Sequence, residues 1–344
     1  PLLIEGRDDM PVAATKMAAG TDVNFGSLSR KLVHWLARQP GCGVATGHRV
    51  IDLDRTSDGW NVKVKDISGN RSFNNRTQFV FIGAGGGSLP LLQRSKIDEV
   101  KGYGGFPIGG QWLVCDNPEV VVRHQAKVYG QAQAEAPTMA VPHLDTRVLD
   151  GKQSLLFGPF AAFTTKFLQR SGSFSDLPSS VKFDNFSSLA RVGLYNLPLV
   201  KYLIRQGTQS MAARMKVLRG FYPDARSEDW KLVNAGIRVQ AIKKEDGAAG
   251  IVHYGTEVVT NTDKSISALL GASPGASVSV SVMLDVVKTC LPHLLESQEG
   301  AIAISRMIPT WNEDLTPASS AERFRQVSHD TDQLLGLREA DQAR

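Results

Sequence analysis

Cysteine is scarce in this sequence, and long hydrophobic runs are missing from it. The three cysteines, Cys42, Cys115 and Cys290, are odd in number and far apart, which favours free thiols in a reducing compartment. No pair of Cys or His residues has the spacing of metal ligands, so no structural zinc site is predicted. The longest apolar runs are also well short of the ~20 residues that a membrane-spanning helix requires.

Long basic runs, zinc-finger spacings and RNA-binding motifs are absent too, so nucleic acid is not an expected partner. The 344 residues carry a net charge of +5 and 42% of them are apolar, as in a folded protein with two structural regions. The charge is unevenly placed. The segment from Phe186 to Lys231 holds eight basic and three acidic residues, a surplus as large as that of the whole chain.

The most informative segment is an apolar run, Phe79 to Ile82, that four glycines and a serine follow directly. The pattern predicts a buried strand of a parallel sheet, a glycine turn and a helix that begins near Leu89. Such a turn brings bare backbone close to a dinucleotide phosphate. The spacing is Gly83-x-Gly85-x-x-Ser88 rather than G-x-G-x-x-G, and no acidic ribose partner follows. A tight turn that binds no ligand therefore remains an open alternative.

A second glycine turn, Gly271 to Ser277, follows another apolar run that ends at Leu270. Ser277 is placed to cap a helix that begins at Val278 and is stopped by Pro292. The free N–H groups of such a helix N-terminus would stabilise negative charge on a reduced flavin. A tight turn is again the alternative.

The remaining periodicity predicts helices and strands in alternation. A helix carries Leu28, Leu32, Trp35 and Leu36, and two strands around residues 50–53 and 60–64 are joined by a turn at Asp58-Gly59. Further strands are predicted at residues 112–115, 120–129, 154–157, 236–242, 251–260 and 266–270. A helical region is predicted from Phe160 to Phe221, including Phe163, Phe167 and Leu168, and a polar tail with one weak helix ends the chain.

Seven segments of the sequence are together typical of one family. The chain resembles the malate:quinone oxidoreductases, flavin-dependent bacterial enzymes of the glycine-oxidase-like superfamily, over essentially its whole length. The matching segments are Glu5-Gly-Arg7, Gly20-Thr-Asp-Val-Asn-Phe-Gly26, Phe79-Val-Phe-Ile-Gly-Ala-Gly-Gly-Gly87, Gly105-Phe-Pro-Ile-Gly-Gly-Gln111, Val141-Pro-His-Leu-Asp-Thr-Arg147, Phe157-Gly-Pro-Phe160 and Ala268-Leu-Leu-Gly-Ala-Ser-Pro-Gly-Ala-Ser277.

The Rossmann strand and G-x-G-x-x-G turn with which that family binds the FAD pyrophosphate have no counterpart in this sequence. The chain begins at Pro1 without an initiator Met, and its first residues resemble the middle of a domain. We therefore expect a fragment that lacks roughly the first third of a family member. FAD is expected in the full-length parent, and a fragment without cofactor or activity remains an open alternative.

The resemblance implies a mixed α+β and α/β fold. It implies an incomplete FAD-binding Rossmann-type domain in residues 1–100, and an antiparallel-sheet substrate domain with helical cover in residues 101–245. Residues 246–311 would return to the FAD-binding domain, and residues 312–344 would form a C-terminal tail.

The implied activity is the oxidation of (S)-malate to oxaloacetate, a step of the tricarboxylic acid cycle, with electrons passed through FAD to membrane quinone. The implied location is peripheral, at the cytoplasmic side of the bacterial cell membrane. A related FAD oxidoreductase that acts on another 2-hydroxy acid, such as L-2-hydroxyglutarate, is the alternative within the class.

His143, Asp145 and Arg147 fall at period-two spacing, so on a strand they would face the same side. We interpret His143 as the base for the substrate hydroxyl and Arg147 as a carboxylate clamp. A structural strand with an Asp–Arg pair is the alternative. Arg238 resembles the superfamily arginine that holds the substrate carboxylate, although Val239 replaces the usual proline.

The predicted cofactor contacts rest on the resemblance alone. They are Val50, Gly83, Ala84, Gly85, Gly271, Ser273, Pro274, Gly275, Ala276 and Ser277. No role is assigned to Asp22, Asn24 or Lys166. The basic segment from Phe186 to Lys231 suggests docking on anionic lipid, and an ordinary helical cover on the substrate domain is the alternative.

Overall fold

The computed structural model describes residues 3–5, 13–16, 22–130, 141–195, 197–243, 251–253, 255–271 and 275–337. Its strands belong to three sheets. They are β1 (His48–Thr56), β2 (Gly59–Asp66), β3 (Ser72–Thr77), β4 (Val80–Ile82), β5 (Gly104–Cys115), β6 (Lys127–Tyr129), β7 (His143–Leu149), β8 (Lys152–Phe163), β9 (Trp230–Lys243), β10 (Ile251–His253), β11 (Thr256–Thr260) and β12 (Ile266–Gly271).

The structure also has eleven α-helices within the described residues. They are α1 (Phe25–Leu36), α2 (Ser88–Ser95), α3 (Pro118–Val121), α4 (Asp176–Ser180), α5 (Phe186–Tyr195), α6 (Leu197–Gly207), α7 (Met211–Arg219), α8 (Ser279–Cys290), α9 (His293–Glu296), α10 (Gln298–Met307) and α11 (Ala321–Leu334). None of the described helices combines the length and the hydrophobicity that crossing a membrane requires.

The first sheet is an antiparallel ribbon in the order β1-β2-β3. The predicted hairpin is present, but its turn lies one residue earlier than predicted, because Thr56 pairs with Gly59 across Ser57 and Asp58. Trp60 packs inward with 1% of its surface exposed, and its indole Nε1 donates to Ser265 Oγ at 3.0 Å. The ribbon therefore contacts the segment that leads into β12.

The second sheet has six strands in the order β10-β9-β5-β8-β7-β6, and all of its pairs are antiparallel. Helices α5 and α6 cover one part of it through a core that includes Phe106, Val192 and Leu203. Helix α7 covers another part through Met215 and Leu218, both fully buried. The predicted mixed fold, with an antiparallel sheet covered by helices, is confirmed.

The third sheet is mixed and small, with the order β11-β12-β4. β11 and β12 run antiparallel, whereas β12 and β4 run parallel, with Ile266 opposite Val80 and Ala268 opposite Ile82. The parallel partner predicted for the Phe79–Ile82 run is thus confirmed. Only Ile82 of this short strand is fully buried.

Three predicted elements are wrong. The strand predicted at residues 251–260 is divided into β10, which pairs with β9 in the six-stranded sheet, and β11, which pairs with β12 in the third sheet. Residues 120–129 do not form one strand, because Asn117 caps helix α3 by accepting from Glu119 N at 3.1 Å, and only the last three residues form β6. The helical region does not begin at Phe160, because β8 continues to Phe163. A loop organised by Asp176 follows, whose carboxylate accepts from Phe167 N at 2.9 Å.

The C-terminal region contains one helix, α11, in the predicted tail and two further helices, α9 and α10, before it. Contacts divide the chain into two compact units, the first of which contains all three sheets. The second contains α9, α10 and α11, and within it Arg323 forms a two-point ion pair with Glu313 at 2.8 Å. The four regions predicted from the sequence stay a prediction.

Candidate functional site

The two glycine turns lie side by side because the strands that precede them are neighbours. β4 and β12 pair in parallel, so both chains leave the sheet at the same edge. Gly83 follows the end of β4, and Gly271 is the last residue of β12. Parallel strands place their carboxyl ends together, which is where ligands bind in sheets of this kind. Turns that are 188 residues apart in sequence, Gly83 and Gly271, thus form one site.

The first turn is a strand–turn–helix unit, as predicted. The fully buried Ser88 closes it, because its Oγ accepts from Ala84 N at 3.0 Å. The N–H of Ala84 is therefore already bonded within the protein, and a cofactor contact at Ala84 would have to use another atom. Gly85 has a φ of +56°, and a Cβ placed on it would meet no atom within 4 Å. Gly85 is thus the residue of this turn whose backbone faces open space.

Two other glycines are required by the protein's own packing. A Cβ at Gly86 would lie 2.0 Å from Phe167 O. A Cβ at Gly271, where φ is +84°, would lie 2.0 Å from Gly255 O on the neighbouring strand. The alternative of a structural turn therefore explains these two positions, and the left-handed φ of Gly85 also favours glycine there without a ligand.

A small open cleft lies between the turns. Its enclosed space is about that of one water molecule, so it offers a flavin an edge to lie against and does not enclose it. The residues that line it include both glycine turns and the C-terminal half of β9. They are Gly85, Gly86, Leu89, Gly104, Val239, Gln240, Ala241, Leu270 and Gly271.

The end of the second turn differs slightly from the prediction. Helix α8 begins at Ser279, one residue later than a cap at Ser277 would require, and Val278 O accepts from Val282 N at 3.0 Å. The predicted stripe is confirmed, because Val286 is buried while Val278, Val282 and Cys290 are half-buried. Gly275 and Ala276 precede the helix, and the predicted contacts Ser273 and Pro274 lie outside the described residues.

His143 lies in β7, as predicted, between two aromatic rings. Its imidazole is 5.0 Å from the Trp112 ring and 4.8 Å from the Tyr129 ring, centroid to centroid. Nδ1 is 3.2 Å from Val141 O, which favours the tautomer with the proton on Nδ1. Burial lowers the pKa of His143, so its ring is neutral at pH 7 with Nε2 as the basic atom.

Asp145 separates His143 from Arg147 along the strand. Its carboxylate is mostly buried and pairs with Lys127 Nζ at 3.1 Å, so its charge is compensated by the neighbouring strand β6. Arg147 lies opposite Ser154 in β8, half-buried. The three side chains leave the strand on one side, as the period-two spacing predicts.

Arg238 lies in a different part of the same sheet. Arg238 is exposed on β9 and lies opposite Ile108 of β5. His143 on β7 lies opposite Gly158 of β8, which is level with Trp112 of β5. Three strand spacings and four residues along the strands separate the Cα atoms of Arg238 and His143 by roughly 20 Å. The structure therefore brings the glycine turns together, and it does not bring Arg238 to His143.

Comparison with known proteins identifies the family of the chain. The family model for malate:quinone oxidoreductase (Mqo) matches residues 1–337. The chain belongs to the malate:quinone oxidoreductase family. It is 51% identical over 338 residues to a probable malate:quinone oxidoreductase 2 of Pseudomonas aeruginosa, covering 98% of this chain and 66% of that protein. It is 50% identical over 346 residues to a probable malate:quinone oxidoreductase 1 of Pseudomonas putida, covering 100% of this chain and 68% of that protein.

The chain thus spans about two thirds of the length of these relatives. Among solved structures, a glycerol-3-phosphate dehydrogenase from Bacillus halodurans complexed with FAD shares 14% identity at a TM-score of 0.42. The match covers 76% of this chain and 44% of that one, a likeness too low to define the fold. The sheet topology given above defines it instead.

Other contacts in this member of the malate:quinone oxidoreductase family were not predicted. Asn24 has a clear structural role, because its Oδ1 caps α1 by accepting from Ser27 N at 3.0 Å and its Nδ2 donates to Asp150 at 3.0 Å. Val50 is half-buried in β1, next to a bulge at Ile51 whose carbonyl accepts from Arg94. The Asx pattern before Phe25 could have revealed the cap.

A hydrogen-bonded triad was missed altogether. Tyr103 donates its hydroxyl to Glu257, and Lys243 Nζ lies 3.3 Å from the same carboxylate oxygen. Burial and the Glu257 bond raise the pKa of Tyr103 to about 12, so it remains protonated. The triad joins β9 and the start of β5 to β11, and these residues are too far apart in sequence for any local pattern to reveal them.

Proposed function

We propose that this chain is part of an enzyme that oxidises (S)-malate to oxaloacetate with FAD as cofactor and membrane quinone as electron acceptor. Membership of the malate:quinone oxidoreductase family supports the substrates. The observation that supports FAD as the cofactor is the pair of glycine turns on the parallel strands β4 and β12, where Gly85 is open to a ligand. The open cleft between them is lined by glycine backbone, against which an edge of the flavin would lie.

Gly85 and the segment around Gly275 are the residues proposed to hold the flavin. At Gly85 a ligand can approach bare backbone, whereas any side chain there would occupy the same open space. Bound FAD would supply the two-electron acceptor that takes the hydride from malate C2 and later returns the electrons to quinone.

His143 is the proposed base for the proton on the malate C2 hydroxyl. Its ring is fixed by Trp112, Tyr129 and the Val141 carbonyl, and its lowered pKa keeps Nε2 unprotonated. A neutral imidazole held in one orientation is the form that accepts a proton. The proton leaves the hydroxyl as the C2–H hydride leaves carbon, so malate loses two electrons and two hydrogens.

A cation must bind the substrate carboxylates, and both proposed arginines lie on the six-stranded sheet. Arg147 is four residues from His143 on the same side of β7, about 13 Å between Cα atoms. Arg238 directly precedes Val239 and Gln240, which line the cleft between the glycine turns, so it is the arginine nearer to the proposed flavin. Arg147 is the proposed carboxylate partner beside His143, and Arg238 is the one beside the flavin.

The proposed electron acceptor also places the enzyme at a membrane. Quinones that carry isoprenoid tails dissolve in the bilayer, so an enzyme that reduces them must meet its surface. We propose peripheral association at the cytoplasmic side of the bacterial cell membrane, with malate reaching the site from the aqueous side.

The test measures malate-dependent reduction of a soluble quinone analogue. It uses the purified chain supplied with FAD and the Pseudomonas putida relative with the aligned substitutions. His143→Ala should lower kcat by roughly 10²–10⁴-fold. Arg147→Ala and Arg238→Ala should each raise KM, because each is a proposed carboxylate partner. His34→Ala, an exposed histidine on α1, is the matched control.

Three results would contradict the proposal. The first is a preparation that takes up no flavin, seen as missing visible absorption in both proteins. The second is faster turnover of L-2-hydroxyglutarate than of malate, which would assign the alternative substrate. The third is a His143→Ala variant with the activity of the His34→Ala control.

A further inference from the structure

Helices α5 and α6 carry large apolar side chains on their outer sides as well as their inner sides. The inner residues Leu189, Val192, Val200 and Leu203 pack against the six-stranded sheet. The outer residues form what we call the α5–α6 outer surface. They are Phe183 just before α5, Phe186, Leu194, Leu197 and Ile204, with exposed fractions of 106%, 62%, 68%, 46% and 48%.

The helical spacing places these residues beside basic ones. Phe186 and Leu194 are two turns apart on α5, with Arg191 between them, and Leu197, Lys201 and Ile204 follow one stripe of α6 with Arg205 adjacent. Residues 183–207 contain one acidic residue, Asp184, whose carboxylate accepts from Gly102 N at 2.8 Å. Arg191, Lys201 and Arg205 are exposed and form no ion pair with any other described residue.

Four other cations of the basic segment bond within the protein. Arg214 is buried and donates to the carbonyls of Gln206, Gly207 and Gln209. Arg219 donates to Ala225 O, Arg226 pairs with Asp229, and Lys231 pairs with Asp116. Lys216 on α7 is exposed and forms no ion pair with a described residue, so three of the four such cations of the segment lie on α5 and α6, where the apolar side chains are exposed.

We propose that the α5–α6 outer surface docks on an anionic lipid bilayer, with its apolar side chains at the acyl boundary and its cations at the headgroups. The proposal deepens the proposed use of membrane quinone and rests on it. Exposed aromatic and aliphatic residues flanked by Lys and Arg are the composition of interfacial helices. A second copy of the chain is a poorer occupant, because a symmetric contact would bring Arg191, Lys201 and Arg205 against the same three cations.

The experiment is flotation of the purified chain with vesicles of phosphatidylcholine alone and of phosphatidylcholine with phosphatidylglycerol. Wild type should bind the anionic vesicles and release them at high salt. Each Lys or Arg near an anionic membrane surface raises the binding constant about fivefold. Lys201→Glu/Arg205→Glu should therefore lower the vesicle-binding constant at least ~25-fold. Leu194→Ser/Ile204→Ser should weaken it at least about tenfold through lost insertion.

Matched controls change charge and hydrophobicity elsewhere. Lys63→Glu/Arg71→Glu alters two exposed cations of the first sheet, and Val122→Ser alters a valine that is 65% exposed. Both should bind like wild type, and circular dichroism should show every variant folded. Equal binding by the α5–α6 variants and the controls would overturn the proposal. So would a dimer in sedimentation that Leu194→Ser/Ile204→Ser dissociates while no vesicle is bound.

The assay separates this proposal from the proposed function. Vesicle binding that depends on α5 and α6, without malate oxidation, would support the surface and contradict the enzyme activity. Turnover with a soluble quinone analogue, without vesicle binding, would support the activity and contradict the surface.

Discussion

Replacing Gly271 with alanine perturbs the place where the second glycine turn leaves the sheet. The residue has a φ of +84°, and an added Cβ would lie 2.0 Å from the Gly255 carbonyl oxygen. The left-handed conformation costs a residue with a side chain roughly 1–2 kcal/mol. Overpacking of a tight contact costs roughly 1–3 kcal/mol more. We therefore expect Gly271→Ala to lower the free energy of unfolding by about 2–5 kcal/mol.

Urea unfolding followed by tryptophan fluorescence measures this loss, because Trp60 is buried and contacts Ser265 just before β12. Gly236→Ala is the matched control. Gly236 also lies in a strand, its φ is ordinary, and its added Cβ would meet no atom within 4 Å. A Gly271→Ala variant that unfolds within 0.5 kcal/mol of the control, about the size of a neutral surface substitution, would refute the reasoning.

Three further substitutions have defined outcomes. Tyr103→Phe removes the hydroxyl bonded to Glu257, whose Oε2 already lacks a described partner, so we expect a loss of ~1–3 kcal/mol in urea unfolding. Asn24→Ala removes the α1 cap and should cost ~1 kcal/mol, whereas Asn24→Ser, which also lacks the amide but keeps a capping oxygen, should retain most of it. Burial lowers the pKa of His124, so the unfolded state binds the extra proton and stability should fall below pH ~6.5. His124→Phe should reduce that fall, compared at pH 8 and pH 5.

Elements with a strong local signal were predictable from the sequence. The Asp58-Gly59 hairpin, the parallel strand before Gly83 and the period-two strand carrying His143 all follow from residue spacing, and the structure has each of them. The apolar stripe of α8, from Val278 to Cys290, was predictable for the same reason. These elements succeed because side-chain periodicity and turn chemistry act within a few residues.

Elements decided by competing or distant contacts were not predictable in the same way. The valines after Pro118 favour a strand, but the Asn117 cap and a proline in the first turn make them helical. The loop after Phe163 depends on Asp176, whose carboxylate receives backbone N–H groups from both Phe167 and Ser173. The apolar residues of that loop resemble a helix only when this carboxylate is ignored.

The distance between Arg238 and His143 could not be predicted for a different reason, which is that it depends on strand order. Each residue matches its expected strand, and only the strand order β9-β5-β8-β7 shows that two strands lie between them. Strand order depends on contacts between distant segments, and no pattern within one strand reports it. Pairing of the glycine turns was inferred through the resemblance, which carries long-range information that periodicity lacks.

The parallel pairing of β4 with β12 also determines when the cleft can form during folding. Gly85 and Gly271 are 186 residues apart, so the cleft appears only after one of the longest loops in the chain has closed. Local structures such as the β1–β2 hairpin form long before such a contact. The cleft is therefore a late event, and a chain with native-like helices and hairpins can still lack it. Ligand uptake at this cleft would report completed folding, which spectroscopic helix and strand content would not.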